Sequence, residues 1–425
     1  MRTNTVPFIH ESGEDGTPIA WLGGRLVAGG PPTTDSSRRV DVVVIGAGII
    51  GASCAFHLAE RGLSVLVLEA LQAPAEGSTG RSFASVRGQW ADPLNVEISW
   101  RSIQTYRDFG RLHGCDVGYR PTGYLFLVPQ DRWQTHRAGV KMQRELGVPV
   151  SELTPEAAQR HTPFETEGIA GATWGEADGV VDPQGVTMAY LGLARGLGAE
   201  VAVMQAVTSV VARPDGGWRV GTSDLEVEAT TVVNAAGGWS REVAALAGID
   251  VPVDHVRRSI FSTATSTDPK RYPMTIDMGS GAFLRSEGDR LLFGMARQDE
   301  PLGFVNTLDW DWVETVLETA CRRFPWLADL PLDRSASWAG TYEVTADDLP
   351  VLGANPAATG WLDACGFSGH GVMQAPEIGR LVTEEVVDGR VHSLDIGPLR
   401  HGRFAQDAAD QDARETIGRR TKMIY

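Results

Sequence analysis

Paired cysteines, long apolar runs and an excess of basic charge are all missing from this chain, and each absence removes a class of function. The four cysteines, Cys54, Cys115, Cys321 and Cys365, are scattered, with no C-x-x-C pair and no metal-type spacing. Neither a disulfide framework nor a metal site is therefore expected, and four reduced thiols suit a cytoplasmic protein. No stretch approaches the ~20 uninterrupted apolar residues of a spanning helix. The longest candidate, Val40 to Phe56, is broken by three glycines and Asp41. The N-terminus lacks the charged–apolar–small layout of a secretory signal. Arg38-Arg39 precedes a run that reads better as a strand than as a twin-arginine leader. Lys and Arg number 38 against 54 Asp and Glu, a formal net charge of −16 with no long basic run. That balance argues against nucleic acid or an anionic membrane surface as the main partner. An anionic substrate would have to be held by a few local arginines. No internal repeat is present.

What is present is glycine, 49 residues of it in a chain of 425, and in clusters. Clustered glycines mark tight turns and places where the backbone meets a ligand. The length suggests two or three domains with a substantial core. Residues 1–38 carry Gly-Gly twice, Pro31-Pro32 and a polar Thr-Thr-Asp-Ser-Ser run, and read as a mostly loose arm in which only Pro18 to Leu22 is apolar. Val40 to Ile45 is short and β-branched, as a buried parallel strand should be. Ile49 to Arg61 reads as a helix stopped by Gly62, and Ser64 to Leu68 as the next strand, giving a βαβ unit. Further helices are expected over Asp92 to Phe109, Arg132 to Leu146, Val186 to Leu197, Asp309 to Arg323 and Val372 to Val387. Strands are expected at Gly123 to Val128, crowded between Glu200 and Asn234 around a Pro214-Asp215-Gly216-Gly217 turn, and as a mostly antiparallel sheet between Val251 and Tyr342. The fold class is α/β, α+β overall: a Rossmann-like domain interleaved with a sheet-rich second domain.

Gly46-Ala47-Gly48-Ile49-Ile50-Gly51 lies between the predicted strand and helix. Gly46 permits the tight turn, Gly48 lets a pyrophosphate approach the backbone, and Gly51 lets helix and strand pack closely. The helix N-terminus then offers free N–H groups to the phosphates. Glu69, followed by Ala70, ends the second strand where a carboxylate can accept from a ribose 2′-hydroxyl. Strand, glycines, helix and terminal acid together specify an adenine dinucleotide, and the acid argues against NADP.

Three more segments carry a resemblance. Thr231 to Ser240, with Asn234-Ala235-Ala236-Gly237-Gly238-Trp239 at its centre, looks like the strand-to-glycine return of flavoproteins. Glu76-Gly77-Ser78-Thr79-Gly80-Arg81-Ser82 resembles the loop that runs along the flavin. Gly366-Phe367-Ser368-Gly369-His370-Gly371, continuing into Val372 and Met373, resembles the C-terminal flavin loop of sarcosine oxidase-like enzymes. The chain from about Val40 to Phe404 thus resembles the D-amino-acid oxidase superfamily of FAD-dependent amine oxidoreductases, in its sarcosine oxidase-like or glycine oxidase-like branch. The resemblance implies a discontinuous FAD domain (39–117, 179–250 and 346–404), a substrate domain (118–178 and 251–345), the arm and a tail over 405–425. It implies FAD held by Gly46 to Gly51, Glu69, Ala70, Ser78 to Ser82, Val207, Ala235, Ala236, Gly237, Trp239, Gly340 and Gly366 to Met373.

It also implies a mechanism. A hydride equivalent leaves the carbon beside an amine nitrogen for flavin N5, and water hydrolyses the resulting imine. Arg87, in Ser85-Val86-Arg87-Gly88-Gln89, matches the family's substrate-carboxylate arginine, a role that suits a bidentate guanidinium; Arg81 competes for it. Tyr342 matches a pocket tyrosine. His370 stands at the N-terminus of the last helix, where backbone N–H groups can stabilise a reduced, anionic flavin, and reads as flavin packing more than as a proton carrier. Three departures matter. Gly340 replaces a cysteine that bonds the flavin in some sarcosine oxidases, which suggests non-covalent FAD; Cys365 is the one thiol to suspect otherwise. Met373 replaces a lysine that helps hold the carboxylate. No lysine stands near Arg290 to Arg297, where the family keeps one that activates oxygen. Arg258 and Arg285 could supply the missing cations, although each also reads as a sheet residue.

The leading reading is oxidation of a secondary amine or N-substituted amino acid, with oxygen or another acceptor, by a protein that could also be a homo-oligomer or part of a hetero-complex. The alternatives are a flavin-dependent 2-hydroxy-acid dehydrogenase on the same scaffold and a flavin-binding subunit of a larger amine dehydrogenase complex.

Overall fold

The computed structural model describes residues 19–22, 25–28, 38–267 and 270–405. Two eight-stranded sheets carry the architecture. In the first, Arg38–Ile45 lies between Val65–Leu68 and Glu226–Asn234, parallel to both. Glu200–Ala202 extends it beyond Val65–Leu68, and Trp361–Cys365 joins Glu226–Asn234, again in parallel. Antiparallel strands Ser209–Ala212 and Trp218–Gly221 form the other flank, joined through the predicted turn, where Gly216 and Gly217 have φ of 96° and 78°. Such left-handed values are why glycines stand there.

The helix Ile49–Glu60 is buried along every residue except His57 and Glu60. A helix apolar all round must be covered on all sides. Beneath it is the sheet; over it pack the helices Pro183–Gly196 and Gly371–Asp388. Gly379 of the last helix approaches so closely that a Cβ there would lie 2.3 Å from Ser53 Oγ. Pro376 sits inside that last helix and has no N–H to give the carbonyl one turn earlier. Tyr106, on the helix Pro93–His113, replaces it: its hydroxyl donates to Val372 O at 2.7 Å. Ser102 Oγ likewise donates to Gln374 O at 3.1 Å. The helix Pro93–His113 runs four residues past the sequence expectation because Gly114 caps it in the left-handed conformation, φ 75°.

The second sheet runs in the order Leu332–Val344, Asp254–Thr263, Arg290–Gly294, Phe283–Glu287, Met274–Asp277, Tyr124–Pro129, Ile169–Gly175, Val150–Leu153. All neighbours are antiparallel except Met274–Asp277 with Tyr124–Pro129. One face is closed by the helix Trp312–Arg323, whose Val316 and Ala320 join Phe261, Phe293 and Leu284 in a buried cluster.

The loose arm expected over 1–38 holds a short ribbon, because Ile19–Leu22 pairs antiparallel with Arg25–Ala28. The first sheet strand also starts earlier than expected, at Arg38, where Arg38 and Arg39 pair with Val227 and Glu228. The rest of the arm and the tail beyond Ala405 lie outside the described residues. Among the described residues no helix is long and apolar enough to cross a membrane, and no cluster of side chains could hold a metal ion.

Candidate active site

A cavity of about 590 Å³ runs from the glycine turn of the first sheet to the face of the second. At its first end the backbone supplies the chemistry. Gly46 has φ 103°, and a Cβ there would lie 2.4 Å from Ala235 O. A Cβ on Gly51 would lie 2.0 Å from Gly46 O. The N–H groups of Gly48 and Ile50, both on the cavity wall, have no acceptor among the described residues. Ile49 N donates to Thr79 Oγ1 at 3.1 Å, which ties the loop after Glu69 to the helix start. Glu69 lines the cavity with its carboxylate held by Ala47 N at 2.7 Å and Leu71 N at 2.9 Å. Burial nevertheless moves its pKa upward.

Most residues named from the motifs line this cavity: Gly46, Gly48, Ile49, Ile50, Glu69, Ala70, Ser78, Thr79, Arg81, Ser82, Val207, Ala235, Ala236, Gly237, Trp239 and Gly340, then Ser368 through Met373. Five do not. Ala47 spends its N–H on Glu69. Gly51 and Gly80 are packing positions, a Cβ at Gly80 meeting Ala75 O at 2.3 Å. Gly366 donates its N–H to Glu343 Oε2 at 3.2 Å, and Phe367 is buried in the core beneath the last helix.

At the second end side chains take over. Gly371 opens the eighteen-residue last helix, with His370 as its cap. The N–H groups of Gly371 and Val372 face the cavity with no acceptor among the described residues. His370 is buried, its ring edge-on to Trp90 at 4.3 Å and its Nδ1 without a hydrogen bond. Burial, and then the charge of Arg87, push its pKa down to about 3, so the ring is neutral in ordinary buffers, with one N–H and one acceptor nitrogen. Arg87 is 3% exposed, its guanidinium 3.8 Å above Trp90 and near Tyr124 and Phe126. Tyr342 is 36% exposed; its ring covers Gly369, where a Cβ would lie 2.4 Å from Cζ. Arg258 lies over the other part of that ring at 5.0 Å.

Behind Arg87 runs a buried chain that the sequence did not reveal. Gly88 N donates to Asp178 Oδ1 at 2.7 Å, and Gln89 Nε2 donates to Asp178 Oδ2 at 2.9 Å. Thr173 Oγ1 donates to Gln89 Oε1 at 2.8 Å and lies 3.0 Å from His136 Nε2. With its proton given to Gln89, Thr173 can only accept from the imidazole, so His136 carries a proton on Nε2. Burial raises Asp178 to about 6 and lowers His136 to about 4. Three further acids, Glu242, Glu343 and Asp348, also line the cavity and were missed. Burial lifts Glu343 to about 7 and Asp348 to about 6.

The cations weighed from the sequence separate clearly. Arg258 lines the cavity, whereas Arg285 points away, donating to Phe83 O at 2.8 Å and pairing with Glu287. Arg290 pairs with Asp333, and Arg297 with Asp299 and Asp309. From this stretch the cavity wall takes Met295 and Ala296 instead. Gly340 abuts the Arg81 loop, so that a Cβ would lie 2.9 Å from Arg81 Cβ. Cys365 is buried with Val351 and Trp361. None of the four cysteines lines the cavity.

Residues 41–385 match the family model described as DAO, FAD dependent oxidoreductase. The chain belongs to that family. FAD-dependent oxidoreductase domain-containing protein 1 of Xenopus laevis is 30% identical, over 88% of this chain and 84% of that protein. Mitochondrial dimethylglycine dehydrogenase of Mus musculus is 28% identical over 89% of this chain, which spans 46% of that protein. Among solved structures, L-proline dehydrogenase from P. horikoshii superposes with a TM-score of 0.81 at 28% identity, covering 87% of this chain and 99% of that one. The protein is an FAD-dependent oxidoreductase, and the cavity fits the cofactor on its own terms. A glycine cradle and unaccepted N–H groups suit a pyrophosphate, a doubly held carboxylate suits a ribose, and a second helix N-terminus suits an electron-rich ring edge.

Proposed function

We propose that this enzyme oxidises the C–N bond of a secondary amine or N-substituted amino acid. Bound FAD supplies the hydride acceptor; the rest falls to the chain. The observation that carries the reading is the placement of Arg87. Its guanidinium, caged by Trp90, Tyr124 and Phe126, stands at the wall of a cavity to which Met274, Ile276 and Met373 also contribute. One buried cation in apolar surroundings recognises one carboxylate strongly, because little water competes for it. Asp178 and Gln89 fix the backbone on the far side of Arg87, so the guanidinium is held rather than free to search. His370 stays neutral and adds packing. The substrate would meet Arg87 through its carboxylate and react once its amine is free of its proton. Dimethylglycine and proline, named for the similar dehydrogenases, are both substituted on nitrogen, which supports the same class.

No lysine lines the cavity, and Met295 and Ala296 stand in the stretch expected to carry one. We infer that electrons leave to an acceptor other than oxygen. The test is an anaerobic titration of the purified holoenzyme with N-methyl and cyclic amino acids, followed by air. Bleaching of the visible flavin band by an amine, at a rate that rises with pH as the substrate ammonium deprotonates, supports the reading, and slow recovery in air supports a dehydrogenase. Bleaching by 2-hydroxy acids alone would overturn it.

A further inference from the structure

Two doublets in the second half of the chain divide their labour in the same way. Arg257 and Arg258 are neighbours on the strand Asp254–Thr263. Arg257 closes ion pairs with Glu300 at 2.8 Å and Asp309 at 3.2 Å. Arg258 makes none among the described residues: it donates to the Arg257 carbonyl at 2.9 Å, lies over Tyr342 and lines the cavity. Asp347 and Asp348 follow the strand Leu332–Val344. Asp347 accepts from Thr345 Oγ1, Leu349 N and the Arg403 guanidinium, at 3.0, 3.1 and 2.7 Å. Among the described residues Asp348 has no side-chain hydrogen bond; it lines the same cavity and senses the charge of Arg258. Its φ is +61°, a left-handed value in which glycine would be relaxed.

We propose that Arg258 and Asp348 form a subsite for a neutral group that both accepts and donates hydrogen bonds, a carboxamide or ureido at the far end of the substrate's substituent. The inference rests on the amine reading above and names the part of the substrate that reading leaves open. Opposite charges at a cavity wall that do not close on each other leave a gap, and a group with an acceptor on one side and a donor on the other fills it. A distal carboxylate satisfies Arg258 and meets Asp348 with like charge. An ammonium does the reverse, and an alkyl end leaves both half-buried charges unanswered. The two act as specificity-determining residues away from Arg87 and His370.

The test compares N-methyl derivatives of glutamine, glutamate, lysine and norleucine, which are of similar length and differ at the tip. With wild-type holoenzyme, kcat/KM for the glutamine derivative is expected to exceed each of the others at least ten-fold. Asp348→Asn keeps a hydrogen-bonding side chain and removes the repulsion, so the glutamine-to-glutamate ratio should fall at least ten-fold. Asp348→Gly relaxes the backbone and removes the group; there the glutamine-to-norleucine ratio should collapse towards one. Equal rates across the wild-type panel, or ratios unmoved in both variants, overturn the proposal. A parallel series of N-acetyl amino acids, which cannot be oxidised, is followed by shifts in the flavin spectrum. If no amine reduces the flavin but N-acetylglutamine still binds at least ten-fold tighter than the other N-acetyl acids, the amine reading fails and the subsite stands. If amines reduce it and the tip makes no difference, the subsite alone fails.

Discussion

The two ends of the cavity hold what enters them by different means. At the glycine turn the donors are backbone N–H groups, the Glu69 carboxylate is pinned by two further N–H groups, and Gly46 and Gly51 have no room for a Cβ. At the far end the donors and charges belong to side chains: Arg87 on its aromatic cage, Arg258 over Tyr342, and Asp178 with Gln89 behind. Substitution at the first end therefore acts through shape, all or nothing. At the second it acts through chemistry and can be graded. A scaffold that holds its cofactor with backbone, and whose other cavity end is built of side chains, can change those side chains without losing cofactor.

The largest expected effect tests the first end. Gly51→Val would drive side-chain atoms towards the Gly46 carbonyl, which is backbone and cannot yield. FAD content after gel filtration should fall to a few per cent of wild type, and a fully loaded variant would show that the turn is not the anchor. Next comes Arg87→Met, which keeps the contact with Trp90 and removes the charge. About 2–4 kcal/mol of lost recognition predicts a kcat/KM roughly 30- to 1000-fold lower at unchanged flavin content; an unchanged KM would place the carboxylate elsewhere. The smallest effect concerns the support behind Arg87. Asp178 sits at about 6 in the fold against about 4 in an unfolded chain. Between those values the folded protein keeps a proton that the unfolded chain has released, so wild-type stability falls as pH rises through that window. Asp178→Asn cannot titrate. Its melting temperature, minus that of wild type, should therefore climb from pH 4 to pH 6 by the equivalent of about 2 kcal/mol. A flat difference would mean that Asp178 is ionised throughout.

The same contrast explains what could be read from the sequence. The dinucleotide turn was legible because its parts lie close together in the chain: a β-branched strand, three glycines, a helix and Glu69 within about thirty residues. The two-sheet architecture followed from segment order. At the substrate end the resemblance located Arg87 and Tyr342, and it made the missing thiol at Gly340 informative. Arg81 supplies the physical reason for that glycine. The chain from Asp178 through Gln89 and Thr173 to His136 was not legible, since its members come from separate segments and each is an ordinary polar residue. Nor could Asp347 be told from Asp348, or Arg257 from Arg258. Which member of each doublet faces the cavity depends on a turn and on partners far away in sequence. Glu343 was hidden by strand alternation, which turns it to the face opposite Tyr342, where it accepts from Gly366 N.

The last helix, cradled by Tyr106 and pressed onto the Ile49–Glu60 helix through Gly379, closes the cavity more than three hundred residues after the glycine turn opens it. On a ribosome adding ~5–20 residues per second, that separation is a wait of roughly 15 to 60 s. Throughout it, one of the most apolar helices in the molecule has emerged without its cover. The Ile49–Glu60 helix thus waits for its cover until the last helix has emerged, and capture of the cofactor in a closed cavity has to follow that event.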